Sequence, residues 1–364
     1  MKQDDKKMQI LSINNAYKQK VNVTYSKTKK DFPQTKNETR KTRFSYNLHN
    51  FAVSKPYHIQ LSVMTEKPCV VTIGYFDGVH RGHRYLLAQV KDEAKRHGMV
   101  SAVVTFHNHP LTVVQPGFEP LLISSPEEKE QLLKEIGVER VEMLHFSHEM
   151  SQMSSEDFMV KVLREKMNAK RLVMGYDNRI GHDRLTFDEL VALGRKHGIE
   201  VVKSEEYKSE NQIRFSSSQI RRFLLEGEIE NASYALGRHY CISGEVVGGF
   251  KIGRSIGYPT ANVKPICKNK LIPRAGVYAV KVHIDNRCFN GMMNIGLRPT
   301  FHQGNAQTLE ANIFDFSRDI YNENVTIEFI HYVREEMEFK GIEQLKEQIQ
   351  RDEATCRNLL AKLP

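Results

Sequence analysis

The sequence predicts an α/β domain built on a parallel, Rossmann-like sheet, followed by an antiparallel β-barrel with a C-terminal helix. Three features carry that prediction. Between residues 68 and 174, continuous apolar runs alternate with amphipathic stretches. Past Gly237 the segments become short, β-rich and punctuated by Gly and Pro. A long amphipathic stretch then closes the chain, and 364 residues suffice for two or three domains with cores of their own.

Taken in order, CVVTIGYF (69–76) is a continuous apolar, β-branched run, as a strand buried on both faces requires. HRYLLAQVKDEAKRHG (83–98) sets Leu86, Leu87, Val90 and Ala94 at helical spacing, and Gly98 suits the residue that ends a helix in the left-handed region. VSAVVTF (100–106) is the next buried strand. Strand, helix and strand within about 35 residues make a βαβ unit with parallel pairing and a right-handed crossover. The alternation continues through a Ser-Pro-started helix at 125–137, a strand at 138–146, a helix at 154–167 and a strand at 170–175. The helix at 154–167 is capped by Ser154 or Ser155 ahead of Asp157. Beyond Gly237, the stretches 241–250, 276–284, 288–296, 309–314 and 325–333 read as antiparallel strands of a sheet or small barrel. The final helix, 341–363, carries Ile342, Leu345, Ile349, Leu359 and Leu360 on its apolar positions. The expected division is a disordered basic extension at 1–66, an α/β domain at 67–235 and a β-rich domain at 236–364.

The net charge of +9 points to nucleic acid only until it is located. Residues 1–67 hold 14 basic and 5 acidic side chains, which account for all of it; the remaining 39 and 39 balance. A neutral body disfavours a nucleic-acid partner. The five cysteines, Cys69, Cys241, Cys267, Cys288 and Cys356, are scattered without a CxxC pair, which argues against a zinc site or a disulfide framework. No stretch approaches the roughly 20 apolar residues a bilayer span needs, and the N-terminus lacks a secretory signal pattern. The expected setting is the cytoplasm, with no membrane partner.

The strongest chemical signal is GYFDGVHRGH, Gly74 to His83, where a buried strand runs into a helix start. Helix-start amides and the positive end of the dipole favour a phosphate there. His80 and His83 flank Gly82, so both imidazoles can face one triphosphate, and Gly78 and Gly82 allow the backbone to approach a nucleotide closely. This suits nucleotidyl transfer, which needs charge stabilised on the α-phosphate and the leaving pyrophosphate. SSSQIR offers Ser216, Ser217 and Ser218 as helix caps and phosphate ligands, with Arg221 one turn in as a cation for pyrophosphate. In the β-rich half, GRSIGYPTAN (253–262) combines loop glycines with Thr260 and Asn262 as oxygen ligands.

These stretches together resemble the prokaryotic bifunctional riboflavin kinase/FAD synthetase family, from about residue 68 to the C-terminus. GYFDGVHRGH resembles its signature, TFHNHP (105–110) its second adenylyltransferase motif, and GYDNRIGHDR (175–184) its flavin- and ATP-facing loop. Residues 214–238 resemble the segment linking its two modules, and GRSIGYPTAN the riboflavin kinase signature. The resemblance implies His80 and His83 as catalytic residues, and ATP contacts from Gly74, Phe76, Asp77, Gly78, Asp177, the three serines and Arg221. It implies further nucleotide contacts from Gly253, Gly257, Pro259, Thr260 and Asn262, with Thr260 and Asn262 holding Mg²⁺. Glu310, in LEANIF after MNIGLRPTF, matches the general base. Asn108, Pro110, Arg179 and Arg334 are expected to bind flavin. The implied partners are riboflavin, FMN, FAD and ATP, with Mg²⁺ accompanying ATP, no tightly bound organic cofactor, and homo-oligomerisation left open.

The chain departs from the family pattern in four places, one of them Leu185 to Phe187, which replaces a more glycine-rich continuation. Asn178 and Ile180 replace aromatic residues, which is expected to weaken flavin stacking, and Asn312 replaces a histidine two residues past the base. Three other readings conflict with features of the sequence. Another HxGH nucleotidyltransferase would have no use for the second loop at 253–262. A class I tRNA synthetase conflicts with the neutral body and the missing KMSKS-like segment. A flavin-binding module with a decayed transferase half conflicts with retained His80, His83, Asp177 and Arg221.

Overall fold

The computed structural model describes residues 67–175, 178–207, 215–249, 253, 256–300 and 304–362, the side chains of 297–300 and 304–306 excepted. The extension at 1–66 and Asp177 lie outside the described residues.

Five parallel strands, β1 (Cys69–Ile73), β2 (Val100–Phe106), β3 (Arg140–Leu144), β4 (Ala169–Met174) and β5 (Glu200–Lys203), form a sheet in the order β3-β2-β1-β4-β5. β1 is buried along its whole length. Its alternate residues serve two cores: Val71 joins Met159 and Leu163 on one face, Val70 joins Leu87 and Val90 on the other. The strand order reverses on either side of β1, so the loops leaving β1 and β4 flank a crevice at the carboxyl edge of the sheet.

The helices of this half are α1 (Arg81–Arg96), α2 (Leu111–Val114), α3 (Pro126–Glu135), α4 (His148–Ser151), α5 (Ser155–Phe158) and α6 (Phe187–His197). Ser125 and Glu128 form a reciprocal capping box on α3, and Gly98 follows α1 with φ of 64°. Ser154, not Ser155, caps α5. The expected regular helix at 154–167 continues past α5 as wide turns over Met159–Lys166, with Met167 donating to the Val162 carbonyl five residues back. α6 and β5 are additions to the predicted elements. The local signals for them are the capping box of Thr186 with Glu189 and the left-handed Gly198.

α7 (Ser217–Glu226) and α8 (Ile229–Leu236) lead into β6 (Tyr240–Val247), β7 (Ala261–Pro265), β8 (Gly276–Ile284), β9 (Arg287–Thr300), β10 (Gly304–Ile313) and β11 (Asn324–Arg334). These close a barrel in the order β10-β7-β6-β11-β8-β9. Side chains alternate across it: Leu309 and Ala311 fill the inside, which leaves Glu310 and Asn312 facing out. The closing helix α9 (Ile342–Leu360) covers that outer face, packing Cys356 and Leu360 against Ala279, Met292 and Ile330. Ile342, expected on its apolar side, is 63% exposed because it opens the first turn; the buried positions are Asp352, Cys356 and Leu360. The two halves are joined by backbone pairing, with Leu122 bonded to Asn269 and Leu271 at 2.8 Å each.

Candidate active sites

At the carboxyl edge of the sheet, a cavity of ≈ 580 Å³ is lined by Tyr75, His80, His83, His109, Ser217 and Arg221, among others. The loop from β1 to α1 builds its floor. Phe76, Gly78 and Val79 all have positive φ, of 55°, 78° and 40°. For β-branched Val79 this conformation is strained, and strain of this kind persists only where surroundings enforce it.

His80 caps α1: its Nδ1 accepts from the His83 amide at 3.3 Å. That bond puts its proton on Nε2. The two imidazoles stack, with centroids 3.6 Å apart. Burial, partly offset by Asp77, lowers the His80 pKa to about 4. His83 is held well below its ordinary value by burial, then by His80 and Lys129, and its buried Nδ1 has no hydrogen-bond partner among the described residues. Both rings are therefore neutral at physiological pH.

Asp77 is buried and accepts from the Ile123 and Ser124 amides and from Arg221. Arg221 also donates to the Leu121 carbonyl at 2.7 Å. The two thus form a pair at the cavity wall. Ser216 caps α7 through the Gln219 amide, Ser217 donates to the Asp77 carbonyl at 3.0 Å, and Ser218 is exposed on the first turn.

Several of the expected site residues are engaged by the protein itself. A Cβ on Gly78 would strike Ile123 at 2.8 Å, and one on Gly82 would meet the His80 ring at 3.2 Å. Both glycines are needed for the protein's own close packing as well as for any ligand. Gly74 likewise accommodates the Phe76 ring at 3.0 Å, and Phe76 is itself buried. Asn108 does not line the cavity; both ends of its amide bond the Phe146 backbone at 2.8 Å. Pro110 caps the start of α2 and does not line the cavity, although His109 beside it does, and Arg179 is exposed. Asn178 does line it, with its amide bonded to the Ile73 carbonyl, whereas Ile180 is buried in the core.

Sequence reasoning missed Tyr75, His109 and Lys129. His109 stands edge-on to Tyr75 at 4.5 Å, and Lys129 lies 4.0 Å from the Tyr75 ring centre while donating to the Phe106 carbonyl. Burial lowers the Lys129 pKa to about 8. HNHP offers three polar side chains, His107, Asn108 and His109, and only the loop path decides which one enters the crevice.

The second site lies on the barrel. Pairing register sets Asn262, Glu310, Asn294, Val277 and Arg334 opposite one another across β7, β10, β9, β8 and β11. Glu310, Asn294, Val277 and Arg334 line a cavity of ≈ 360 Å³ between the barrel's outer face and α9, whose Leu345 and Ile349 add an apolar wall. A second cavity, of ≈ 320 Å³, is lined by Pro259, Ala261, Ala311 and residues 316–321. Thr260 borders both.

Asn312 donates to the Pro259 carbonyl at 2.8 Å and so ties β10 to the loop carrying Thr260. In that loop, Gly253 permits the Tyr258 carbonyl to sit where a Cβ would be 2.2 Å away, and Gly257 has φ of 87°. Gly249 makes room for the Asn262 amide in the same way, at 2.1 Å. Arg334, expected to touch flavin, pairs with Asp352 of α9 through bonds of 2.6 to 3.1 Å, and Gln348 supports Asp352. It remains part of the cavity wall.

Residues 62–219 match the family model of FAD synthetase, and residues 236–360 that of riboflavin kinase. The bifunctional riboflavin kinase/FMN adenylyltransferase of Bacillus subtilis (strain 168) is 34% identical over 305 residues, covering 82% of this chain and 94% of that protein. This chain belongs to the bifunctional riboflavin kinase/FMN adenylyltransferase family. The Pseudomonas fluorescens member is 36% identical over 294 residues, covering 80% of this chain and 93% of its own length. A crystal structure titled as a macrolide-efflux protein from Streptococcus pneumoniae is 33% identical, with a TM-score of 0.74 over 82% of this chain and 96% of that one. Among the described residues no helix is long and apolar enough to cross a membrane. The sheet crevice lies in the synthetase match, apart from Arg221 just beyond its end, and the barrel cavities lie in the kinase match. Two departures from the family pattern, at Asn178 and Asn312, fall on side chains that bond backbone carbonyls.

Proposed function

We propose that this chain phosphorylates riboflavin to FMN with ATP, then transfers AMP from a second ATP to FMN, giving FAD and pyrophosphate. The α/β half, 67–235, performs the second step and the β-rich half, 236–364, the first, in the cytoplasm.

The observation that carries the kinase reading is Thr260, which borders two cavities of different character. The one under α9 is largely apolar with Glu310 on its wall, as a flat ring system with a reactive hydroxyl requires. The other takes the nucleotide, so the phosphoryl group passes at Thr260. Glu310 accepts the proton of the ribityl 5′-hydroxyl as that oxygen attacks the γ-phosphorus and ADP departs. The hydroxyl of Thr260, the amide oxygen of Asn262 in its glycine cradle and the phosphates are the hard oxygen donors that suit Mg²⁺. The ion, when bound, neutralises phosphate charge.

In the sheet crevice, an FMN phosphate oxygen attacks the α-phosphorus of ATP and pyrophosphate leaves. His80, neutral with its proton on Nε2, donates a hydrogen bond there rather than a charge. The amides opening α7 and the Arg221 guanidinium face the departing pyrophosphate.

The test is to incubate the protein with riboflavin, ATP and Mg²⁺ and separate the flavins. Glu310→Gln should cut kcat for FMN formation about 10²–10⁴-fold with the riboflavin KM nearly unchanged. Thr260→Val should also weaken Mg·ATP binding, and both variants should still convert supplied FMN to FAD. His80→Ala or His83→Ala should reverse the pattern, cutting FAD formation by roughly 10²–10³-fold or more while FMN accumulates. Parallel loss of both activities in every variant would overturn the assignment of two separate sites.

A further inference from the structure

The strained loop that carries His80 is fixed by side chains bonding its backbone. Ser124 Oγ accepts from the Gly78 amide at 2.9 Å, Ser217 donates to the Asp77 carbonyl, and Arg84 Nε donates to the Val79 carbonyl at 3.3 Å. These three residues lie in the segment that matches FAD synthetase, 62–219. A fourth does not. Arg238 donates to the Gly78 carbonyl at 2.8 Å, and it falls within the riboflavin kinase match, 236–360. It stands between Gly237, which ends α8 with φ of 71°, and Tyr240, which begins β6.

Arg238 does not act alone. A Cβ on Gly78 would lie 3.2 Å from Leu236, so the end of α8 fits against the face that glycine leaves open. Gly237 has its own missing Cβ beside the Arg81 side chain at 3.4 Å, and Arg81 lies 4.4 Å over the Tyr234 ring. Tyr234, Leu236, Gly237 and Arg238 therefore form one docking surface for residues 78–81. The Gly78 carbonyl belongs to the peptide that sets Val79, whose positive φ aims His80 as the cap of α1.

We propose that Arg238 is a positioning residue for adenylyl transfer, so that the nucleotide loop of the α/β half is completed by the segment entering the barrel. The reasoning rests on the assignment of adenylyl transfer to the sheet crevice. Arg238 touches no reacting atom. It holds the Gly78 to Val79 peptide, and through it the His80 and His83 pair. Displacement of a catalytic group by about 1 Å can cost on the order of 10²-fold in rate.

The experiment measures FAD formation from FMN and ATP, and FMN formation from riboflavin and ATP, separately on the full chain and on Arg238→Met and Arg238→Lys. Arg238→Met should lower kcat for FAD formation about 10- to 100-fold, with KM for FMN within about twofold and kinase turnover unchanged. Arg238→Lys, which retains one donor, should recover part of the loss. Unchanged FAD turnover in Arg238→Met overturns the proposal. So does an equal fall in kinase turnover, which would make Arg238 a residue of the general fold. An unsubstituted chain that makes FMN but never FAD would instead overturn the assignment of the crevice, and that result is seen before any substitution is compared.

Discussion

At the scale of single residues, the neutral histidine pair has a consequence for stability. The His80 pKa is about 4 in the folded protein against an ordinary 6.5. The unfolded chain therefore binds more protons between those values, and stability falls as pH drops through that window. From pH 7 to pH 5 the loss attributable to His80 is on the order of 2 kcal/mol. Urea unfolding at the two pH values should show a smaller acid loss in His80→Gln than in the unsubstituted protein; an equal loss would mean the ring is not desolvated. Which residues line the cavities was only partly legible in the sequence. His80 and Thr260 stand out because each sits in a glycine-containing loop, and Glu310 because its segment resembles the family's base-bearing one; all three line a cavity. Lys129 does not, because it reads as one more solvated lysine of a charged helix. Only the tertiary fold lays it under Tyr75. Asn108, expected at the flavin from the resemblance of TFHNHP, has both ends of its amide bonded to the Phe146 backbone.

At the scale of elements, α9 is bound to the barrel by more than apolar contact. Arg334 on β11 meets Asp352 through three hydrogen bonds, with the carboxylate almost wholly buried. Removing one partner of such a pair costs about 3 kcal/mol, since the other charge is left without compensation. Asp352→Asn should lower unfolding free energy by about that amount and raise the riboflavin KM, because the same helix supplies Leu345 and Ile349 to the cavity wall. A stability change with no change in KM would separate helix docking from flavin binding. The helix itself was legible from its periodicity. Its buried face was legible in part: Leu360 is buried with Ile349 and Leu359 packed beside it, but Asp352 occupies a position that apolar patterning assigns to solvent. The elements left unread, α2, α4, α6, β5 and β7, are short or follow polar loops, where periodicity registers poorly.

At the scale of the whole molecule, both family matches begin at or beyond residue 62, and the excess basic charge lies in residues 1–67. A chain beginning at Ser62 should keep both flavin-forming activities within about twofold, a difference of only about 0.4 kcal/mol in activation free energy. Loss of either activity would place the extension in a site. The division into a sheet half and a barrel half was legible from the change of hydrophobic period near Gly237. That the junction is a working part of the sheet half was not, since no local pattern marks a guanidinium as belonging to a loop 160 residues earlier in the chain.

The barrel is not equally strong around its circumference. β8 and β9 pair over nine residues, but β7 and β10 meet at only two positions, Glu310 with Asn262 and Ala311 with Ala261. The shortest seam is thus the one that carries Glu310, the proposed base, and Asn262, a proposed metal ligand. Sub-global opening draws on the region with fewest ladder bonds to break. The wall between the two barrel cavities is therefore the part of the cylinder that unzips at least cost, and breathing there separates Glu310 from Asn262 while the remaining strands stay closed.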